Sequence, residues 1–354
     1  MNLQNLGWDD FFAQRYLPFQ TEGWLPARVL QVQRGLYHLQ GEFIMTVAEV
    51  SGRFRHQATA SQDFPTVGDW VLVEGDGSPV IHHVLPRKSL FSRLAPGSRT
   101  EEQLIAANVD TVFLMSGLDH DFNPRRIERY LLLASESGAT PVVVLNKADQ
   151  PEPEALPNLL TAVAAIAPQI PIHPISAQTG QGLEALDSYL QPGSTVALLG
   201  SSGVGKSTLT NYLLGRVVQA TQAVRADDSR GRHTTTGRSL FPLPSGALLM
   251  DTPGLRELQL WGGEDSLAST FQDIEELAQS CRFRDCRHRG EPGCAVDEAI
   301  AQNLLDPDRL VSYHKLQREL QHLSRQQDIQ AQLTEKKRWK QIHKSLRHHP
   351  KYTR

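Results

Sequence analysis

At 354 residues, against about 100–200 per domain, the chain has room for two or three domains with real cores, and its 40% hydrophobic and 21% charged content excludes an intrinsically disordered chain. Three cysteines, all within fourteen residues, exclude a disulfide-stapled scaffold and argue for metal binding. The net charge of −3 hides an asymmetry: residues 336–354 carry eight Lys/Arg and no acid, leaving 28 basic against 39 acidic residues, or −11, on the remainder. Such a tail points to a polyanionic partner, with a solvated extension as the competing reading. The first sixteen residues hold Asp9 and Asp10 and no apolar signal-peptide core, so no secretory signal is expected. Apolar runs such as Ala162–Ala167 fall far short of the ~20 residues of a membrane span. A cytoplasmic protein with no membrane partner is expected.

From Trp24 to Leu90 the pattern is of short strands. Ala27–Val32 and Leu36–Leu39 flank an Arg34-Gly35 turn, Trp70–Val73 follows the breaker Pro65–Asp69, and Val80–Leu85 continues the series. Several strands in so short a stretch predict a five-stranded barrel of the OB or SH3 type, which spacing alone does not separate. From Val109 onward, apolar strands alternate with helical stretches, predicting an α/β domain with a mainly parallel sheet. The strands are Thr111–Met115, Pro141–Leu145, Thr195–Leu199 and Ala247–Met250, with a helix over Arg125–Ser137. After about Trp261 the chain becomes helical and polar, with the cysteines embedded at Cys281, Cys286 and Cys294.

The strongest chemical signal is Gly200, Ser201, Ser202, Gly203, Val204, Gly205, Lys206 and Ser207, a G-x-x-x-x-G-K-S between a predicted strand and a helix that continues through Thr208. Its glycines let backbone N–H groups wrap phosphate oxygens, Lys206 reaches the β- and γ-phosphates, and the Ser207 hydroxyl ligates Mg²⁺. Asn146, Lys147, Ala148 and Asp149 close another strand. The Asp149 carboxylate can accept from both the ring N–H and the exocyclic amine of guanine, a donor pair that adenine lacks, which selects GTP over ATP. Ser176 and Ala177 follow the next apolar stretch, where the Ala177 backbone would meet the guanine O6. Asp251 and Gly254, in Asp251-Thr252-Pro253-Gly254, would organise Mg²⁺ through water and bond the γ-phosphate. One of Thr234, Thr235 and Thr236 would complete the Mg²⁺ shell.

The order of these motifs is unusual. Asn146 and Ser176 precede Gly200, Thr234 and Asp251, whereas an ordinary GTPase begins with its phosphate loop, so the chain reads as a circularly permuted GTPase. Permutation keeps the spatial neighbours of the strands and changes only their connections. Leu255 stands where many GTPases carry a water-orienting glutamine, and an aliphatic side chain cannot hold a water. His233, beside the threonines, is the candidate to do so. Cys281, Cys286, His288 and Cys294 form a Cys₃His set suited to one closed structural Zn²⁺. The interleaved Arg282, Arg284, Arg287 and Arg289 could present cations to phosphate. The remaining histidines, including His82, His83, His343, His348 and His349, have no ligand-like spacing and are expected at the surface.

A small barrel, a permuted GTPase and a Cys₃His unit together resemble the ribosome small-subunit-dependent GTPase A family of bacteria. The resemblance spans roughly Trp24 to Leu320 and rests on Pro65-x-Val67-Gly68-Asp69-Trp70-Val71 and the motifs above, with Arg232–Thr236 and the Ala295-Val296 that follows Cys294. It implies an OB-fold barrel, GTP hydrolysis stimulated by the small ribosomal subunit, a role late in maturation of that subunit with contacts to 16S rRNA, and His233 as the catalytic histidine. The expected organisation is an N-terminal extension over 1–23, the barrel over 24–100, the permuted GTPase over 101–263 and a helical zinc-binding domain with its basic tail over 264–354, as a monomer carrying GTP or GDP with Mg²⁺. The competing functional readings are an RNA-binding assembly factor whose nucleotide site is mainly structural, and a GTPase acting on another RNA.

Overall fold

A computed structural model of the chain describes residues 2–42, 45–74, 79–94, 102–216, 238–251 and 264–325. It divides into two compact units, Met1–Arg93 with Gln103–Gln259, and Leu94–Glu102 with Leu260–Arg354. The first unit opens with helix α1 (Asp10–Tyr16), whose leading N–H groups at Phe11 and Phe12 are capped by the Asp9 carboxylate. Strands β1 (Leu25–Gln33), β2 (Leu36–Gly41) and β3 (Met45–Val50) follow, then helix α2 (Gly52–Gln57) and strands β4 (Trp70–Val73) and β5 (Val80–Val84).

These five strands close on themselves in the order β1-β2-β3-β5-β4-β1, every pair antiparallel except β3 with β5, where Val50 lies opposite Ile81. This Greek-key closure is the OB arrangement and resolves the choice that strand spacing left open. Ala27, Val29, Leu39, Val71 and Ile81 fill the interior because alternate residues of each strand point inward.

Residues 2–23 pack against this barrel. Leu6 and Phe12 are buried with Trp70, Leu72 and Leu85, and Trp8 meets Trp70 edge-on at 4.7 Å. Arg28 on β1 is 1% exposed and donates to the carbonyls of Leu6, Gly68 and Asn108, the last two at 3.2 and 2.9 Å. Burial lowers its pKa to about 10, with Asp110 and Asp69 opposing that shift, so the guanidinium stays charged at neutral pH.

Strands β6 (Leu90–Leu94) and β7 (Glu102–Ala107) pair with each other. Beyond them come β8 (Thr111–Gly117), α3 (Pro124–Ser137), β9 (Thr140–Asn146), α4 (Leu156–Ile166), β10 (Ile172–Pro174), β11 (Thr195–Gly200), α5 (Lys206–Leu214), β12 (Arg238–Pro242) and β13 (Leu248–Asp251). Strands β10, β9, β8, β11 and β13 lie side by side in parallel, and β12 continues the sheet antiparallel to β13. Every residue of β8 and β11 is buried, as expected of central parallel strands covered on both faces. The sheet does not end at β12, because Gln31 and Val32 of β1 pair with Ser239 and Arg238.

The second unit contains α6 (Glu264–Thr270), α7 (Gln272–Ala278), α8 (Ala295–Ala301) and a helix over 307–325, the helical character the sequence predicts. Phe271, Ile274, Val296 and Leu316 are buried there. Arg309 forks onto Asp273 at 2.6 and 2.8 Å and lies over the Phe271 ring.

Candidate functional site

The phosphate loop runs from the end of β11 to the start of α5, so its N–H groups lead into a helix N-terminus. Gly203 and Gly205 have φ of +79° and +99°, which only glycine adopts without strain. At Gly205 a Cβ would lie 2.1 Å from the side-chain nitrogen of Asn146. The Asn146 amide, 3% exposed, donates to Val204 O at 2.7 Å and accepts from Ala177 N–H at 2.9 Å. A single side chain thus joins the phosphate loop, the Asn-Lys-x-Asp segment and the Ser-Ala segment. Ala148 N–H adds a bond to Ile175 O at 2.9 Å, and buried Ser176 accepts from Thr179 N–H.

The Ala177 N–H, expected at the guanine O6, donates to Asn146 Oδ1 in this structure. Asp149, in contrast, is exposed just beyond β9, as are Ser202 and Gly203 on the phosphate loop. Lys206 folds back onto the carbonyls of Gly200 and Ser201, and Ser207 and Thr208 are partly buried in the first turn of α5. Asp251 ends β13, whose parallel neighbour in the sheet is β11, so both strands finish at the same edge. His233, Thr234, Thr235, Thr236, Gly254 and Leu255 lie outside the described residues.

Facing the phosphate loop is a cavity of about 300 Å³ lined by Asp119, Asp121, Arg126, Lys147, Ser201 and Gly203, among others. Lys147, at φ +66°, pairs with Asp119, and Asp121 accepts from Ser201 Oγ at 3.0 Å and from both terminal nitrogens of Arg126. Burial pushes the Asp119 carboxyl up, but the hydrogen bonds from Lys147 and the Asp121 N–H, together with the Lys147 charge, outweigh it and the group sits below its ordinary value. The Arg126 hydrogen bonds hold Asp121 low as well. Motif reading missed both aspartates, since Asp119-His120-Asp121 follows no recognised spacing and gains meaning only from β8 lying beside β11.

In the second unit Cys281, Cys286, His288 and Cys294 bring one donor atom each to within 4.8 Å of all the others. His288 Nδ1 is 3.7 Å from Cys281 Sγ and 3.4 Å from Cys294 Sγ. A tetrahedral ion with bonds of about 2.0 and 2.3 Å places its donors about 3.5–3.8 Å apart, so the four residues fit a metal. His288 at φ +55°, Gly290 at +89° and Gly293 at +75° make the turns that point the donors inward. Glu291 holds the loop by accepting from the N–H of Arg287 and Arg289, and Gly290 N–H donates to Asp297. Burial pushes the Cys294 thiol up to about 12 and lowers His288, favouring a neutral imidazole with an available lone pair. A bound cation would reverse the thiol's preference and take it as thiolate. His82 and His83 are half-buried at the surface, their rings lying against Trp24 and Phe19 at 4.6 and 4.5 Å. His343, His348 and His349 lie outside the described residues.

Comparison with known proteins agrees with this geometry. A family model described as RsgA GTPase matches residues 84–261. An ABC transporter model matches residues 183–349, a span that takes in the same phosphate loop. A protein from Opitutus terrae named small ribosomal subunit biogenesis GTPase RsgA is 48% identical, covering 98% of this chain and 97% of its own length. A like-named protein from Xanthomonas oryzae is 50% identical over 84% of this chain and 81% of its own. Among solved structures, YjeQ from Thermotoga maritima superposes with a TM-score of 0.63 at 28% identity, covering 84% of this chain and 98% of that one. YloQ, described as a circularly permuted GTPase, gives 0.60 at 25% identity, covering 84% and 96%. No described helix is long and apolar enough to cross a membrane.

Proposed function

The chain belongs to the RsgA GTPase family and is a GTP-hydrolysing enzyme, and from that premise we propose that it acts as a late assembly switch on the small ribosomal subunit in the cytoplasm. In this reading it works as a monomer that binds 16S rRNA, its hydrolysis is stimulated by the subunit, and hydrolysis is coupled to release. The observation that carries the nucleotide reading is the Asn146 amide, which ties segments 31 and 58 residues away into one site. The names of relatives that match nearly end to end support the ribosomal partner.

Within that site Asp149 accepts from the guanine ring N–H and amine, while the Ala177 N–H, which donates to Asn146 Oδ1 in the structure, turns to the guanine O6. The N–H groups of the phosphate loop cradle the phosphates, and Lys206 exchanges the Gly200 and Ser201 carbonyls for phosphate oxygens. Ser207 and one threonine of Thr234–Thr236 hold Mg²⁺, Asp251 does so through water, and Gly254 N–H meets the γ-phosphate. His233 orients the attacking water, a task Leu255 cannot perform. Cys281, Cys286, His288 and Cys294 hold one structural Zn²⁺. The domains run 1–23, 24–100, 101–263 and 264–354.

The test is the steady-state GTP hydrolysis rate with and without purified small subunits, with ATP, large subunits and His233→Ala as controls. The expected outcome is stimulation by small subunits alone, lost in His233→Ala while GTP binding persists. No stimulation, with binding of GTP and of the subunit both verified, transfers the assignment to an RNA-binding assembly factor with a structural nucleotide site.

A further inference from the structure

The loop joining β8 to α3 touches both ends of the candidate nucleotide site without belonging to any nucleotide motif. We infer that this loop is a brace, in which Asp119 positions Lys147 at the base-recognition end and Asp121 positions Ser201 at the phosphate end, so that it fixes the separation of the two. The inference rests on the reading of Gly200–Ser207 and Asn146–Asp149 as the GTP site.

The loop is built to hold its shape. Gly117 closes β8 with no side chain, and a Cβ there would sit 2.8 Å from Asp119 Oδ1. That opening lets the Asp119 carboxylate fold back and accept from Asp121 N–H at 3.1 Å, while the Asp119 carbonyl accepts from Phe122 N–H at 2.9 Å. Asn123 then caps α3 by accepting from the N–H groups of Arg125 and Arg126. At the other end Leu118 N–H donates to Asn146 O at 2.8 Å, anchoring the loop to the strand that carries the base motif.

From this fixed frame the two carboxylates reach in different directions. Asp119, with a side chain 8% exposed, pairs with the Lys147 ammonium. Asp121 takes the Ser201 hydroxyl and is itself held by Arg126 from α3. Lysine is a flexible four-carbon stem, and Lys147 has no rigid side-chain geometry of its own, so a buried anionic partner decides where its ammonium sits. Asp119 and Asp121 are positioning residues, since they act through Lys147 and Ser201.

A brace of this kind improves the grip on ground state and transition state together, so its loss raises Kd and KM and leaves kcat nearly unchanged. The experiment uses the full chain and measures GTP and GDP affinity and GDP release with fluorescent nucleotide, together with kcat, KM and the melting temperature. Asp119→Asn is expected to weaken GTP and GDP alike by about tenfold, speed GDP release to match, and keep kcat within about twofold. In a Lys147→Met background Asp119→Asn should add less than about twofold, whereas Asp121→Asn should keep its full effect there and lose it in a Ser201→Ala background. Where Asp119→Asn fails to fold, Lys147→Met alone reads the same bond from its other side. Unchanged affinity in Asp119→Asn, a fall in kcat at constant Kd, or an undiminished effect in the Lys147→Met background would overturn the brace. Failure of the GTP-site reading looks different: Lys206→Ala alone would then bind guanine nucleotide no more weakly than the unaltered chain.

Discussion

Asn146 does its work by satisfying two backbone groups at once. Its carboxamide has a donor and an acceptor on one planar group, and Val204 O and Ala177 N–H take one each. Alanine at this position would leave both of these groups, on the buried residues Val204 and Ala177, without that partner, at about 1–3 kcal/mol apiece. Asn146→Ala is therefore expected to lower unfolding stability by at least about 2 kcal/mol and to weaken GTP by at least about tenfold, measured by urea melts and calorimetric titration. Asn146→Asp separates the two bonds, because it keeps the acceptor for Ala177 and loses the donor to Val204. Arg28 applies the same logic to three carbonyls. Lysine could not replace it, since its ammonium is a point charge without the planar fork that reaches Leu6, Gly68 and Asn108 in different directions.

Among the elements, β1 has two successive partners on one side. Leu25–Arg28 pair with β4 and close the barrel, and beyond Val29–Gln31, where the register against β2 shifts, the strand pairs instead with β12. One strand therefore serves both the barrel and the sheet of the GTPase fold, and β12 is the strand that precedes β13 and Asp251. In the second unit three of the helices are short. Alpha helices of seven residues such as α6, α7 and α8 are marginal alone and depend on tertiary contacts. The Cys₃His turn supplies one such contact, since Cys294 is both a donor of the metal set and the N-cap of α8, accepting from Asp297 N–H. Removing the metal with a strong chelator should release about one zinc per chain, by elemental analysis, and reduce the helical circular dichroism. Cys286→Ser should weaken metal retention sharply. Full helicity after complete metal removal would mean that the hydrophobic contacts of Phe271 and Val296 suffice without the ion.

On the scale of the whole molecule, the permuted motif order is absorbed by the sheet. Strand β11 carries the phosphate loop between β8 and β13, and β9 carries the base motif one strand further out, so the C-terminal strand ends converge as an α/β nucleotide site requires. What permutation changes is which motifs sit near the end of the first unit, which closes at Gln259, a few residues past Asp251 and Gly254. The charge asymmetry also belongs to this scale. If residues 336–354 contact RNA phosphates, a chain ending at residue 335 should bind the small subunit with a shallower dependence of log K on log salt, each lost phosphate contact reducing the slope by about 0.7–0.9. An unchanged slope would mark the tail as a solvated extension.

The phosphate loop, Asn146–Asp149 and the Cys₃His set were legible in the sequence because each is written in contiguous or nearly contiguous residues whose chemistry constrains the local backbone: glycines at positive φ, a carboxylate at a strand end, ligands around a tight turn. The alternation of apolar strands and helices likewise announced the α/β sheet, because burial on both faces leaves a continuous apolar run. Tertiary structure alone decided between the OB and SH3 barrels, through the parallel pairing of β3 with β5. It alone revealed the Arg28 hub, whose acceptors lie 22, 40 and 80 residues away, and the bond from Asp121 to Ser201 across 80 residues. The reason is physical. A local motif carries its own geometry, whereas a hydrogen bond between distant segments exists only once the fold has brought a donor and an acceptor face to face.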